Sequence, residues 1–486
     1  GTNANIRLQT TADDIVVGQV VSDGGNVCLL GANDVVFPLA TSLLQTGGNG
    51  AIAVWAQGGD VNQTAGTIET VNGNIYVSAG TDVNQGAGAE ITVGGANNAL
   101  AIYAGNTMTL SGNNTAPNLA LGTGTGDIVV DTVLNHPTIL ISAGRDIIGT
   151  GAGQVVANQM GLQAGNNIGA PGNQLEIDAG TLAASARNIY LHELNNVVVG
   201  NVGGLNLAAD VPACAAGMPI PGAGGGSSVQ ATGELDWLID GRLSGATVGS
   251  GGNANIQANS VDGLNRLDVG GSLNSLTVDQ NARINEIRVG NQADISVGGS
   301  LNANGLNVAG NLSSLDIGQN AEISQIDVGR DADIRIGGNM TTDRLRVGGS
   351  LSQLDVGRDA RIDEVDIDGN ADMSIGGSLT TDTLDVGRDA LLDVGGNTDI
   401  AGIQTGGRFQ LNGGGNLTFD TMDANGVEAD VGGGIAMGQV NSGTAAFSAG
   451  GSVTDRGSML NVNRLTIRAG GDIGSAASAI NMNVDT

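Results

Sequence analysis

The chain has 486 residues, 84 of them Gly and only 2% aromatic, and its 48 acidic residues face 18 basic ones, all Arg, for a net charge of −30. Without Lys there is no P-loop lysine, no Schiff-base lysine and no kinase strand lysine. A surface this negative repels nucleic-acid phosphates, so no nucleic-acid partner is expected.

The apolar 40% is nearly all Val, Ile, Leu and Ala, enough for a thin aliphatic core that recurs too regularly for disorder. Gly has no strict third-position period, which excludes collagen. No run of 18 apolar residues occurs, so no membrane-spanning helix is expected in this segment. Gly1 stands first in place of Met and the last residues stop in mid-pattern, so the chain reads as a piece of a longer or processed protein.

Taken in chain order, residues 1–210 carry loose repeats. Gly58-Gly-Asp-Val-Asn-Gln63 returns as Gly80-Thr-Asp-Val-Asn-Gln85, 22 residues later. Ile75-Tyr-Val-Ser-Ala-Gly and Ile139-Leu-Ile-Ser-Ala-Gly share a strand–corner texture. These predict coils of about 20–25 residues with variable corner loops. Cys28 and Cys214 are the only cysteines. Two thiols make no disulfide scaffold, and buried or incidental thiols are the plain reading, with a bond between them left open.

Residues 211–232 break the pattern. Val211–Val229 holds three of the seven prolines, and no Pro follows Pro221. This predicts an inserted loop or a seam between two solenoid segments. Trp237, just beyond, is expected to cap a core.

Residues 233–400 carry the clearest order. Residues 287–325 and 326–364 are 39-residue copies that align without gaps. Each holds four apolar-x-apolar-Gly elements whose starts are spaced 8, 11, 9 and 11, so the 39-mer is two units of 19 and 20 residues. Apolar-x-apolar is a short strand with one buried face. The Gly after it marks a corner that needs either positive φ or no Cβ. Such a unit buries its apolar face only when stacked on copies of itself, and helix is a poor competitor, because Gly at this frequency costs about 1 kcal/mol each in a helix interior. The fold expected is therefore all-β, a parallel β-solenoid of about 19–25 residues per coil, with Ile287, Leu306, Ile326 and Leu345 in one pile. The outward residues of successive coils then form ladders of alternating sign, Asp327–Arg346–Asp366 and Asp316–Arg335–Asp355, each exposed pair worth about 0.5 kcal/mol. Residues 401–486 read as degenerate coils continuing the solenoid. At ~4.8 Å per coil, ~22 coils make a rod on the order of 100 Å, with open ends prone to pairing.

The texture resembles the filamentous-haemagglutinin-like exoproteins of bacteria. Ser142-Ala-Gly-Arg-Asp-Ile-Ile148, Ala164-Gly-Asn-Asn-Ile-Gly169 and Ala469-Gly-Gly-Asp-Ile-Gly474 are similar to the recurring phrase of that family. The resemblance covers most of the chain in texture. It implies a right-handed parallel β-helix, export to the cell surface and an adhesin or filament role. The family's secretion motifs, Asn-Pro-Asn-Leu and Asn-Pro-Asn-Gly-Ile, are absent from this sequence.

Residues that could carry chemistry are few. Asp13-Asp14 reads as an exposed loop. His136 precedes a proline, and His192 sits in His-Glu-Leu-Asn-Asn, which lacks the second His of a zinc motif; both are read as structural. Gly122-Thr-Gly-Thr-Gly126 lacks the βαβ context of a nucleotide loop. Trp55 and Tyr103 are candidates for one shared sugar-stacking face, with filling of core or surface preferred. Sequons stand at Asn62, Asn113, Asn311, Asn339 and Asn416. Calcium suits carboxylates and Gly-rich turns, but the calcium-binding nonapeptide does not recur. No catalytic, cofactor or metal residues are assigned. The expectation is an extracellular structural protein, a rod-like segment of a cell-surface filament, adhesin or matrix fibre. Its partners would be further copies of the chain, through the ends or sides, and surface glycans. The alternative is a β-helical carbohydrate-active enzyme, a polysaccharide lyase or hydrolase.

Overall fold

The computed structural model of the chain describes residues 4–222, 225–457, 459–475 and 479–484. It is a parallel β-solenoid of about 24 turns with about 20 residues per turn. Among the described residues the helical turns are confined to two short 3-10 pieces, Ala208–Asp210 and Ala213–Ala215. Contacts group the chain into two compact units, Gly1–Gly252 and Asn253–Thr486.

In the C-terminal unit the 39-residue repeat is two coils. One coil comprises the strands Ala282–Val289 and Ala293–Val297, the next Leu301–Val308 and Leu312–Ile317. Ile287 pairs with Leu306, Leu306 with Ile326 and Ile326 with Leu345. All four side chains are buried. The pile runs on through Val365, Leu384, Ile403, Met422 and Val440 to Leu460. A second pile passes through Ile295, Leu315, Ile334, Leu354 and Met373 to Leu392. Each Val, Leu or Ile so buried contributes about 1.5–3 kcal/mol, and each parallel pairing satisfies the backbone of the coil below.

The outward charges take the expected register, Asp327 beside Arg346 beside Asp366 and Asp316 beside Arg335 beside Asp355. The ion pairs follow it only in part. Arg346 reaches Asp366 at 3.6 Å. Arg335 instead turns to Asp333 two residues back in its own strand, at 2.8 Å, because that neighbour lies on the same face with no register step to cross.

The corner glycines of the 39-residue repeat are explained by closeness, not by positive φ. Gly290 does not adopt positive φ, but a Cβ there would fall inside the carbonyl group of Gly270 in the coil below.

The N-terminal unit is built from longer and less equal coils. Its inner pile is Val27, Ile52, Ile75, Leu100, Leu119, Ile139, Met160 and Leu182. The two copies of the Asp-Val-Asn-Gln phrase lie on adjacent coils, with Val61 beside Val83 and Gln63 beside Gln85. Ile75 and Ile139 occupy the same pile three coils apart. After Val197–Val199 the chain leaves the coil path and rejoins it at Ser228–Ala231. The departure therefore begins at Gly200, ahead of Val211, and ends before Ser228.

Candidate functional site

The strands of the N-terminal unit that carry the inner pile are apolar on both faces. Val27–Gly31 and Ile75–Ala79 are buried at every position. Their outward column is Cys28, Ala53, Tyr76, Ala101, Ala120 and Leu140. Small residues dominate it, and residues 200–227 lie across it. Leu207, Ala215 and Met218 of that insert are buried against the column, with Leu205, Val211 and Ile220 packed at the edge. Val202 sits over Leu140 and Ala183. Residues 223 and 224 lie outside the described residues.

Cys214, midway along the insert, is bonded to Cys28 across a sequence separation of 186. This corrects the plain reading of two incidental thiols: the insert runs back over the face until its centre meets the second coil. Few other polar links hold it there. The Tyr76 hydroxyl donates to the Leu207 carbonyl at 3.3 Å and accepts from Asn74 Nδ2 at 2.9 Å. Burial pushes the Tyr76 phenol up to about 12. Gly122 in the outward rows is fixed by the insert, since a Cβ there would lie 3.0 Å from Pro221 Cα. The signal for a covered face was present in the sequence: runs such as Val27-Cys-Leu-Leu and Ala99-Leu-Ala-Ile-Tyr are continuously apolar, as strands covered on both faces are. The alternating strands around Ile287 are not.

A second feature concerns the carboxylates and amides at the corners. In the C-terminal unit the third residue of most corners is Asn, Ser or Asp, and its side chain accepts from the backbone N–H of its counterpart one coil on. Asn320 accepts from Asn339 at 2.9 Å, Asn339 from Asp359 at 3.2 Å, Asp359 from Ser378 at 2.8 Å and Ser378 from Asn397 at 3.1 Å. A parallel ladder links Asp331, Ser350, Asn370, Asp389 and Arg408. The N-terminal unit repeats the device: Asp34 accepts from Asp60 and Asp60 from Asp82. Parallel strands leave corner N–H groups without a ladder partner, and a short acceptor side chain satisfies each one.

A depression of about 490 Å³ lies on the acidic surface of the C-terminal unit. Asp366, Asp385, Gln404 and Asp423 stack along it in register. Asp366 and Asp385 are adjacent, and Asp366 also pairs with Arg346 on the coil before it. Burial first, then Asp366 and Asp368, push the Asp385 carboxyl above the usual range. Among the described residues no three His, Cys, Asp or Glu side chains converge as metal ligands.

The remaining sequence candidates are placed apart from one another. Asp14 accepts from the Asp34 amide at 3.1 Å, so it starts a corner ladder, while Asp13 offers its backbone carbonyl to Thr10. His136 is buried, with Nδ1 2.8 Å from the Ala116 carbonyl and 3.2 Å from the Ala116 amide, and burial lowers its pKa. His192 lies 3.1 Å from Asp240 on the surface. Trp55 and Tyr103 do share an outward column, with Ser78 between them, and Trp55 packs against the cluster that the insert completes. Trp237 is inside the solenoid beside Leu191, so it fills the core as an ordinary inner-pile residue. Asn62, Asn339 and Asn416 bond along the coils.

Sequence reading missed Glu193. It occupies an inward position between Ile177 and Ile239 and is fully buried. Its carboxyl accepts from the Ala179 amide at 3.1 and 3.2 Å and from the Asn195 amide at 3.1 Å. Burial pushes it up to about 8. The only sequence signal was an acidic residue at the step of an otherwise apolar alternation.

Compared with protein-family models, curated protein sequences and solved structures, the chain matches none.

Proposed function

We propose that the chain is a structural segment of an extracellular surface filament, adhesin or matrix fibre. The observation that carries this reading is the commitment of its Asp, Asn and Ser side chains to corner ladders. Corner carboxylates such as Asp331, Asp359 and Asp389 are hydrogen-bonded to backbone, where they maintain the coil stack. The Cys28–Cys214 bond supports an oxidising compartment outside the cytoplasm. The repeated Ala-Gly-x-Asp-Ile phrases, similar to those of surface exoproteins, support the same setting.

The test is electron microscopy of the native protein with antibody labelling of intact source cells. Surface label on filaments or fibres is the expected result. Turnover of a polysaccharide that disappears in the Asp366→Asn or Asp385→Asn variant would replace this reading with the carbohydrate-active one.

A further inference from the structure

We propose that the Cys28–Cys214 disulfide is a redox latch, whose reduction lifts residues 200–222 off the column of the N-terminal unit and uncovers the apolar face beneath. The inference stands on the insert alone and does not depend on the scaffold role.

The geometry supplies three reasons. The insert is a strap fixed at its base by Val202 and at its centre by Cys214, with the apolar column between them. Val202 packs over Leu140 and Ala183, and Cys28 lies five register steps beyond Leu140, roughly 24 Å away. The residues from Val202 to Cys214 span at most about 40 Å if fully extended, and the two short 3-10 turns shorten that reach. Next, among its described residues the strap forms no β-ladder with the face it covers. Its backbone bonds are local, such as Ala215 to Pro212 and Met218 to Ala215, apart from Gly200 to Leu182 and the Val202–Gly226 bridge, which close its base. Ordering so much irregular chain opposes docking, and the bond at its midpoint offsets that cost by holding the tip in place. Finally, the two sulfurs differ in access: Cys28 is fully buried, whereas Cys214 is half-buried on the outer strap.

The reductant is a dithiol. Its thiolate attacks Sγ of Cys214, the Cys28 sulfur leaves as a thiolate and takes up a proton, and the second thiol resolves the mixed disulfide. Two electrons and two protons pass to the protein, which gains two thiols, and the reductant leaves as its own disulfide. The freed strap exposes Tyr76, Ala101 and Trp55.

The two tryptophans make the change readable. Trp55 is half-buried against the cluster that the strap completes and Trp237 is locked in the core, so the Trp237→Phe variant reports Trp55 alone. The native protein is treated with dithiothreitol, and thiol titration follows reduction. The expected result is two titrated thiols, a red shift of Trp55 emission, new elastase cleavage confined to residues 200–222 and unchanged far-UV circular dichroism, all reversed by reoxidation. Elastase cleavage on the unaltered chain carries the test if Trp237→Phe does not fold. Cys214→Ser should behave as the reduced protein does. Titrated thiols with a protected strap and unshifted Trp55 would overturn the latch. So would loss of the strand signal on reduction, or thiols that appear only after unfolding.

Discussion

At the scale of single residues, Glu193 shows how a solenoid interior treats a misfit. The position belongs to an Ile pile, and the carboxyl is tolerated because three backbone N–H contacts meet it. Burial still dominates and raises its pKa to about 8. The unfolded chain ionises this group near the ordinary value of 4.5, so between about pH 4.5 and 8 the folded state holds the extra proton. Stability from this residue is therefore greatest below that window and falls as pH rises through it. Glu193→Gln removes the slope. Chemical denaturation of both forms at pH 5 and pH 9 should show the variant losing less stability on going to high pH, by on the order of 3 kcal/mol. Equal pH dependence in the two proteins would mean that the carboxyl is solvated. Asp385 titrates upward for a related reason, burial reinforced by Asp366 and Asp368.

At the scale of elements, the coil is closed by two devices. Apolar piles hold the strands, and the corner ladders hold the turns. Asp359 belongs to a ladder, accepting from Ser378 and donating its own amide to Asn339. Asp359→Ala orphans the Ser378 N–H and should cost about 1 kcal/mol, while Asp359→Asn should be close to neutral, as read from urea midpoints. A neutral Ala variant would show that water replaces the side chain. Ile326→Ala, by contrast, opens the interior pile and should cost about 2–5 kcal/mol in the same measurement. The alternation that marks Ile326 as inward was legible from spacing alone. The ladder role of Asp359 was not: its position after Gly357-Arg358 was visible, but the acceptor geometry arises only when the next coil is stacked on it.

At the scale of the molecule, each unit is a one-dimensional stack in which a coil depends on its neighbours. Residues 326–364 are two whole coils, and Val365 takes the same register position as Ile326. Their deletion should leave a folded protein with the parent's oligomeric state and unchanged strand signal per residue, judged by gel filtration and circular dichroism. Deletion of residues 326–335 alone should aggregate, because it puts every later strand out of register. The N-terminal unit departs from nearest-neighbour behaviour along the insert, where Tyr76 bonds Leu207 and Cys28 and Cys214 tie residues 186 apart.

The sequence by itself determined the coil length, the parallel stacking and the identity of the inner piles. Those follow from a period of 19 and 20 residues, in which the same apolar side chain must meet its copy. It also brought Asp327, Arg346 and Asp366 into one row. Only the tertiary structure decided that Cys28 meets Cys214 and that Trp55 is half-buried while Trp237 is internal. It alone placed Glu193 inside and spent the corner carboxylates on backbone. These outcomes depend on contacts between segments that no repeat relates, or on the depth of a side chain below a surface that exists only once the coils are stacked.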